Sequence, residues 1–167
     1  MSRAGVGPVA ALVRRLGHRR WFIRLARAYV PVDRLVARLS RGRLVAMGLR
    51  SLPFFLLTTV GRRSGSPRTV PLLYLPDDPD FVVIGSNFGQ THHPAWSSNL
   101  LANPAATVNL RGQPIQVQAR LVLGEERDAL ITRLREMWPA YATYETTAAR
   151  TLRVFRLERV PPEVSQP

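Results

Sequence analysis

A short turn rich in arginine, lying between two extended segments, has the composition of an anion site. The stretch Leu56–Pro71 begins as an apolar, β-branched run, turns through Gly61 and Gly65, and leaves as an extended segment restricted by two prolines. Its polar members are Arg62, Arg63, Ser64 and Arg68. Glycine lets the backbone approach a ligand closely, so guanidinium and N–H groups can converge on one phosphate. The pattern predicts a strand, a basic turn and a second strand.

Two other interpretations of this turn differ in standing. A Walker-type nucleotide loop is excluded here because no Lys follows the glycines, and Pro67 stands where a phosphate-binding helix would begin. An ordinary solvated hairpin with arginines at its tip is, on these residues alone, an alternative of equal weight to the phosphate site.

Few other residues have the types and spacing that chemistry requires. The chain has no cysteine, which excludes a thiolate metal site and a Cys nucleophile. His92 and His93 are adjacent, so they point in different directions, and no third ligand lies at a helpful spacing; we expect no metal. Ser86 and Ser97 have no candidate base nearby in the sequence. With a nucleophile and a metal both unsupported, the protein either uses a bound cofactor for its chemistry or catalyses no reaction.

The positive charge belongs mainly to the first third of the chain. The 167 residues carry a net charge of +13, and all 24 cationic residues are Arg. Residues 1–50, called the arm below, hold 12 Arg against one acid, whereas residues 51–167 hold 12 Arg against 10 acids. A uniformly basic nucleic-acid-binding domain would not show this asymmetry, so we expect no nucleic-acid partner.

The arm reads as two helices followed by a linker. Apolar residues at about 3.6-residue spacing predict a helix over Val9–Tyr29, and a second short helix over Val32–Leu39 follows Pro31. Its basic amphipathic character is typical of contact with an anionic membrane face, and equally of a helix packed on its own domain or on a partner subunit. No apolar run approaches the roughly 20 residues of a membrane span. We expect a cytoplasmic protein, peripheral on the inner face of the cell membrane if the arm binds lipid.

Residues 51–167 are predicted to form one α+β domain. Six candidate strands are Pro53–Thr59, Thr69–Leu75, Phe81–Ser86, Ala106–Leu110, Ile115–Leu123 and Leu152–Leu157. Candidate helices are Pro94–Leu101, with Pro94 as first helical residue, Gly124–Met137 and Tyr141–Arg150. Short strands with few, segregated helices favour a mainly antiparallel sheet curled into a small barrel.

Five motifs in this order resemble one known family. They are Thr58–Arg68, Pro71-Leu72, Gly85–Gly89, Pro94–Leu100 and Asn103-Pro104. Over roughly residues 50–158 the chain resembles the deazaflavin-dependent nitroreductases, split β-barrels that use reduced coenzyme F-420 to reduce quinones, nitroimidazoles and other electron-poor compounds. The resemblance implies an F-420-dependent oxidoreductase with a split β-barrel fold and a small-molecule electron acceptor.

The resemblance also implies a role for particular positions. Arg62, Arg63 and Ser64 would hold the phosphate and the start of the glutamate tail. The segment Arg68–Leu73 would run along the cofactor, with Pro71 against the deazaflavin. In full, the implied cofactor-binding residues are Arg62, Arg63, Ser64, Arg68, Thr69, Val70, Pro71, Leu72, Leu73, Ile84, Gly85, Ser86, Asn87, Ala95, Trp96, Ser97, Ser98 and Asn99. The implied catalytic candidates are Tyr141 and Tyr144, in the acceptor pocket beside Trp138, and Ser86.

Three rival functions stay open on the sequence. A split barrel of this kind can bind FMN instead of the deazaflavin, a difference that the absorption spectrum of the bound cofactor would reveal. The chain could also be a non-catalytic protein that stores or shields the deazaflavin, or an Arg-rich nucleic-acid binder, which a steep salt dependence would expose. The three aromatics near residue 140 are, without the resemblance, ordinary core and surface residues.

Overall fold

The computed structural model describes residues 53–161, so both predicted helices of the arm lie outside the described residues. Seven strands are β1 Phe54–Val60, β2 Pro67–Leu73, β3 Leu75–Asp77, β4 Asp80–Ile84, β5 Ala105–Leu110, β6 Gln113–Val122 and β7 Val154–Arg159. Three helices are α1 Ala95–Ala102, α2 Gly124–Met137 and α3 Ala140–Ala148. A single 3-10 turn covers Asn87–Gly89. None of these helices is long and apolar enough to cross a membrane.

The strands form one antiparallel sheet that is curled into a half-barrel. Its order is β2-β1-β5-β6-β7-β4-β3, and every neighbouring pair is antiparallel. Strands β2 and β3 lie at opposite ends of this order, yet only Tyr74 separates them along the chain. Because successive Cα atoms are about 3.8 Å apart, the two ends of the sheet must meet at this residue. The curled α+β architecture expected from the sequence is confirmed.

Tyr74 also explains why seven strands occur where six were predicted. The segment Thr69–Leu75, predicted as one strand, is broken at this residue. The Tyr74 N–H donates to the carbonyl of Pro53 at 3.0 Å, and its ring stacks on Phe55 with the centroids 4.7 Å apart. Burial of this ring turns the chain from one sheet edge to the other.

The prediction that Pro94 is the first helical residue was wrong. Its ψ of 144° makes it the cap that precedes α1.

In β4, alternating side chains are buried on both faces of the sheet. In β4, Phe81 and Val83 point into the barrel interior, where α1 contributes Trp96 and Leu100. Val82 and Ile84 point to the opposite face, which α2 and α3 cover. This period of two is the strand alternation expected for a sheet with packed layers on each side. The second face carries the candidate site, because α3 holds both candidate tyrosines.

Candidate active site

The β1–β2 turn holds its arginines on a tightly hydrogen-bonded backbone. The Gly61 N–H donates to the Ser66 carbonyl at 2.9 Å, and the Gly65 N–H donates to the Gly61 carbonyl at 2.7 Å. Gly65 has a φ of +66°, and a Cβ at Gly61 would lie 3.0 Å from the Ser66 carbonyl oxygen, so both positions favour glycine. The side chains of Arg62 and its neighbours through Arg68 are exposed. The turn therefore presents fixed backbone with its guanidinium groups directed to solvent.

Asn99 ties this turn to α1. Its Oδ1 accepts a hydrogen bond from the Arg62 N–H at 3.2 Å, and its Nδ2 donates to Thr59 Oγ1 at 3.0 Å. Asn99 and Thr59 are both buried, with exposed fractions of 5% and 1%. Asn99 was implied as a cofactor-binding residue, and here its side-chain amide is used to position the turn that carries the arginines.

We expect Asn99→Ala to destabilise the fold by about 1–3 kcal/mol, because it leaves the buried Thr59 hydroxyl without its partner. Urea unfolding measures the change. Asn103→Ala is the matched control, since Asn103 caps the same helix but its side chain bonds only the exposed Ala105 N–H. Equal stability of the Asn99 variant and the wild type would contradict this role.

A loop follows β4 and carries Gly85, Ser86 and Asn87, which the resemblance implied as cofactor-binding residues. Asn87 and Phe88 have φ values of 48° and 52°, a left-handed conformation that residues other than glycine seldom adopt. The Asn87 side chain donates from Nδ2 to the His92 carbonyl at 3.2 Å. Gly89, at φ 73°, packs on α3: a Cβ there would lie 3.3 Å from Tyr144 Cα. Residues 85–93, called the ring loop below, are thus docked on the helix that holds the tyrosines.

Arg150, which sequence reasoning missed, fastens the ring loop. Its guanidinium makes four hydrogen bonds: Nε donates to the Gln90 carbonyl at 3.0 Å, Nη2 to the carbonyls of Gly85 and Ser86 at 3.1 and 3.2 Å, and Nη1 bonds His93 Nδ1 at 3.0 Å. These partners precede Arg150 by 57 to 65 residues. Nothing in the local sequence announces such distant contacts.

The bond between Arg150 and His93 fixes the protonation of the imidazole. Arginine only donates hydrogen bonds, so His93 Nδ1 must be the unprotonated acceptor and Nε2 carries the proton. Desolvation and the nearby charges of Arg153 and Arg150 hold the pKa of His93 below its usual value. His93 is therefore a neutral hydrogen-bonding residue at neutral pH.

Arg153 places a second half-buried cation at the start of α1. Its Nη1 donates to Ser98 Oγ at 3.2 Å and to Ser97 Oγ at 3.4 Å. Its own carbonyl accepts from the Gly85 N–H at 2.8 Å, which joins β7 to the beginning of the ring loop. The contacts of Arg153 therefore connect two stretches, residues 84–87 and 95–99, that the resemblance implied as cofactor-binding.

Cations without carboxylates gather on this side of the domain. Every ion pair within residues 53–161 involves one of Arg120, Arg127, Arg133, Arg135 and Arg156. The turn arginines Arg62, Arg63 and Arg68, and also Arg150 and Arg153, have no carboxylate of the described residues within 4.0 Å. Two arginines elsewhere, Arg111 and Arg159, likewise have no ion pair among the described residues. The presence of five arginines without carboxylate partners around the β1–β2 turn, the ring loop and α1 suits a polyanionic ligand, which would supply negative charge.

Tyr141 and Tyr144 lie on the inward side of α3, in the apolar cluster that contains Ile84. Their rings meet edge to face with centroids 6.1 Å apart, and Phe88 of the ring loop lies 6.3 Å from the Tyr144 ring. Leu73, at the end of β2, packs against the same cluster. The fold thus brings together the end of β2, the end of β4 and the tyrosines, three segments that the resemblance placed around cofactor and acceptor.

The hydroxyl of Tyr141 has no hydrogen-bond partner among residues 53–161. Tyr141 is 6% exposed, and burial, with a smaller contribution from Tyr144, raises the pKa of its phenol far above the usual value. In the described part of the chain, Arg127 Nε is the only fully enclosed side-chain polar atom without a partner. A protonated, unpaired phenol at the edge of an apolar cluster is available as a donor to a bound molecule.

The remaining implied residues differ in what their side chains do. Trp96 is 6% exposed and packs against Phe155 at 5.9 Å in the barrel interior, so its indole is part of the core. Ser97 Oγ donates to the Pro94 carbonyl at 2.9 Å, within the first turn of α1. Thr69, on the exposed part of β2, shares a 2.8 Å hydrogen bond with Thr58. The roles assigned to these residues stay predictions.

Comparison with known proteins places the chain in one family. The family model for the F420H(2)-dependent quinone reductases matches residues 32–159. The chain belongs to this family. A protein from Mycobacterium tuberculosis strain H37Rv, named as a putative F420H(2)-dependent quinone reductase, is 31% identical over 115 residues, which are 66% of this chain and 91% of that relative.

Two solved structures extend the comparison. An F420-H2-dependent reductase superposes with a TM-score of 0.59 at 34% identity, covering 64% of this chain and 94% of its own. A second, described as a domain-swapped dimer, has a TM-score of 0.60 at 32% identity and covers 77% of this chain and 99% of its own. Membership of this family confirms the expected oxidoreductase class and coenzyme F-420 as cofactor.

Proposed function

We propose that the protein transfers hydride from C5 of reduced coenzyme F-420 to a quinone-like or nitroaromatic acceptor that is bound against Tyr141. The observation that carries this proposal is the unpaired phenol of Tyr141 in one apolar cluster with Ile84 and Leu73. An apolar, electron-poor ring fits such a cluster, and its oxygen would complete the hydrogen bonding of the phenol.

The described residues fit the two chemically different parts of this cofactor. Its anionic tail requires cations, and Arg62, Arg63 and Arg68 are exposed, lack carboxylate partners and sit on fixed backbone. Its ring requires close backbone with few titratable groups, and Ile84 and Gly85 are both buried at the start of the ring loop. We therefore assign the tail to the β1–β2 turn and the ring to the space between β2, the ring loop and α3.

The chemistry divides between cofactor and protein. Reduced coenzyme F-420, when bound, supplies a hydride from C5; a quinone that accepts this hydride and one proton becomes a hydroquinone. The tail arginines bind and orient, while the apolar cluster excludes water. Tyr141, kept protonated by burial, donates a hydrogen bond to the acceptor oxygen on which negative charge builds, either directly or through water that delivers the proton.

Side-by-side titration of the purified protein with oxidised coenzyme F-420 and with FMN tests the cofactor assignment. We expect saturable binding of the deazaflavin, seen by its fluorescence, at concentrations where FMN does not bind. Reduced cofactor should then be consumed on addition of menadione. Preferential FMN binding would replace the proposal by a flavin enzyme, and deazaflavin binding without turnover of quinones or nitroaromatics would leave a storage protein.

The arm is the basis of a separate prediction about the membrane, whose interior dissolves lipophilic quinones. Its 12 Arg and single acid, with Trp21 and Phe22, suit an anionic lipid surface. Deleting residues 1–40 is expected to abolish sedimentation with anionic liposomes while a water-soluble acceptor is still reduced. Vesicles of neutral lipid are the control. A full-length protein that ignores anionic liposomes, or a truncated one that does not fold, would make the arm structural.

A further inference from the structure

The ring loop keeps two consecutive residues in a conformation that requires support. Asn87 and Phe88 both have positive φ, and neither is glycine. Asparagine adopts this conformation readily, but a bulky residue such as Phe88 keeps it only where surrounding contacts over-determine it, and such residues occur frequently at ligand sites. The contacts that stabilise this conformation therefore indicate the function of the loop.

Arg150 supplies most of these contacts. Its Nη2 donates to the carbonyls of Gly85 and Ser86, and its Nε donates to the carbonyl of Gln90, so it grips the loop on both sides of the strained pair. The Ser86 carbonyl also accepts from the Gly89 N–H at 3.0 Å. A carbonyl held by two donors cannot rotate freely, which fixes the plane of the peptide bond between Ser86 and Asn87.

The peptide group that joins Ser86 and Asn87 also contains the N–H of Asn87. In a trans peptide the N–H points opposite to the C=O, so the Asn87 N–H is directed away from Arg150. No group of residues 53–161 accepts a hydrogen bond from this N–H. A backbone donor without a partner in the described part of the chain is available to bind a ligand.

We propose that Arg150 is a positioning residue that presents the Asn87 N–H to an oxygen or nitrogen acceptor on the deazaflavin ring. The inference rests on the proposed function, since it takes the ring to lie against the ring loop. The proposal adds Arg150, which is distant in the sequence, to the residues that shape the cofactor site. It also explains the left-handed backbone at Asn87. Arg150 itself contacts protein groups and is not assigned a contact with cofactor.

The hydrogen bonds of Arg150 to the ring loop, called the clamp below, also link the cofactor side of the site to the acceptor side. Arg150 follows α3 directly, after Ala149 at φ 49°, and Gly89 packs on Tyr144 and Thr147 of that helix. The helix with the tyrosines and the loop with the free N–H are thus joined at two points. A displacement of the loop would change the distance between the cofactor ring and the acceptor pocket.

Arg150→Lys tests the proposal, because lysine keeps the charge but cannot reach four acceptors from one planar group. Amide hydrogen exchange of residues 85–93 should be faster in the cofactor-free variant. Affinity for oxidised coenzyme F-420 should fall about tenfold, the scale of one lost hydrogen bond with its orientation. The absorption spectrum of the bound cofactor should also shift, because a donor to its ring is displaced; loss of stability alone would not change that spectrum.

Arg127→Lys is the matched control. Arg127 is a half-buried arginine that donates to the Leu152 carbonyl and to Glu145, with no contact to the ring loop. It should retain wild-type affinity and spectrum. An equal loss in this control, or wild-type affinity and spectrum in Arg150→Lys, would overturn the proposal.

Two further variants separate the outcomes. Asn87→Gly in the Arg150→Lys background should recover part of the affinity, because glycine adopts positive φ without strain and keeps the N–H. Should Arg150→Lys fail to fold, His93→Ala removes a single partner of Arg150 and should give a smaller loss in the same direction; an unchanged affinity would then count against the clamp. A wild-type protein that binds no coenzyme F-420 overturns the proposed function, whereas hydrogen exchange still decides whether Arg150 holds the loop.

Discussion

Replacing Arg62 or Arg63 with Ala is expected to weaken binding of coenzyme F-420 by about 1.5–3 kcal/mol, the contribution of a hydrogen bond to a charged group. The double variant should lose more. Both side chains are exposed on a turn whose backbone Asn99 holds in place. Because the tail is remote from C5, turnover at saturating cofactor should stay close to the wild-type rate. The binding constants come from fluorescence titration and the rates from reduction of menadione.

Arg111→Ala controls for the change in net charge. Arg111 is exposed in the β5–β6 turn, which the strand register places at the opposite end of β1 from Arg62. This variant should bind the cofactor like the wild type. Affinity should also fall as salt is added, since exposed charges are screened within about 10 Å at 0.1 M ionic strength. Unchanged affinity for coenzyme F-420 in the Arg62→Ala, Arg63→Ala double variant would contradict the assignment of the cofactor tail to this turn.

Short apolar runs separated by turn residues carried most of the fold prediction, which failed where a tertiary contact decides. The sequence shows the continuous apolar run of β4 directly, and in β5 it shows Ala106 and Val108 alternating with Thr107 and Asn109. The break at Tyr74 depends on a ring that is buried between Phe55 and Phe81. Those partners lie on other strands, so no window around Tyr74 indicates that the chain crosses there between sheet edges.

The candidate site shows the same division between local and distant signals. The β1–β2 turn was predictable because its glycines, prolines and arginines lie within a few residues of each other. Arg150 and Arg153 were not, since their partners in the ring loop and α1 lie more than fifty residues earlier. Trp96 illustrates the opposite difficulty: an aromatic residue within a site motif can be core, because the motif does not reveal which face of a short helix is buried.

The pair Tyr141 and Tyr144 offers the sharpest test of acceptor chemistry, because the two phenols share a helix face but differ in their surroundings. Tyr141 has a hydroxyl without a hydrogen-bond partner among residues 53–161, and burial raises the pKa of its phenol. Tyr144 is equally buried and supports the loop through Gly89 and Phe88. We infer that Tyr141 acts on the acceptor and Tyr144 forms the wall.

Tyr141→Phe is therefore expected to reduce turnover by up to about 10²-fold, the low end for a positioned donor or acid. Removing an unpaired hydroxyl costs the fold little, and cofactor affinity should change little as well, so the loss should appear in the rate at saturating reduced cofactor. Tyr144→Phe is the matched control and should retain most of the activity. Steady-state reduction of menadione measures both. Because burial keeps the Tyr141 phenol protonated well above neutral pH, its contribution to turnover should persist across pH 6–9. Wild-type rates in both variants would show that these tyrosines are core residues without a role in the reaction.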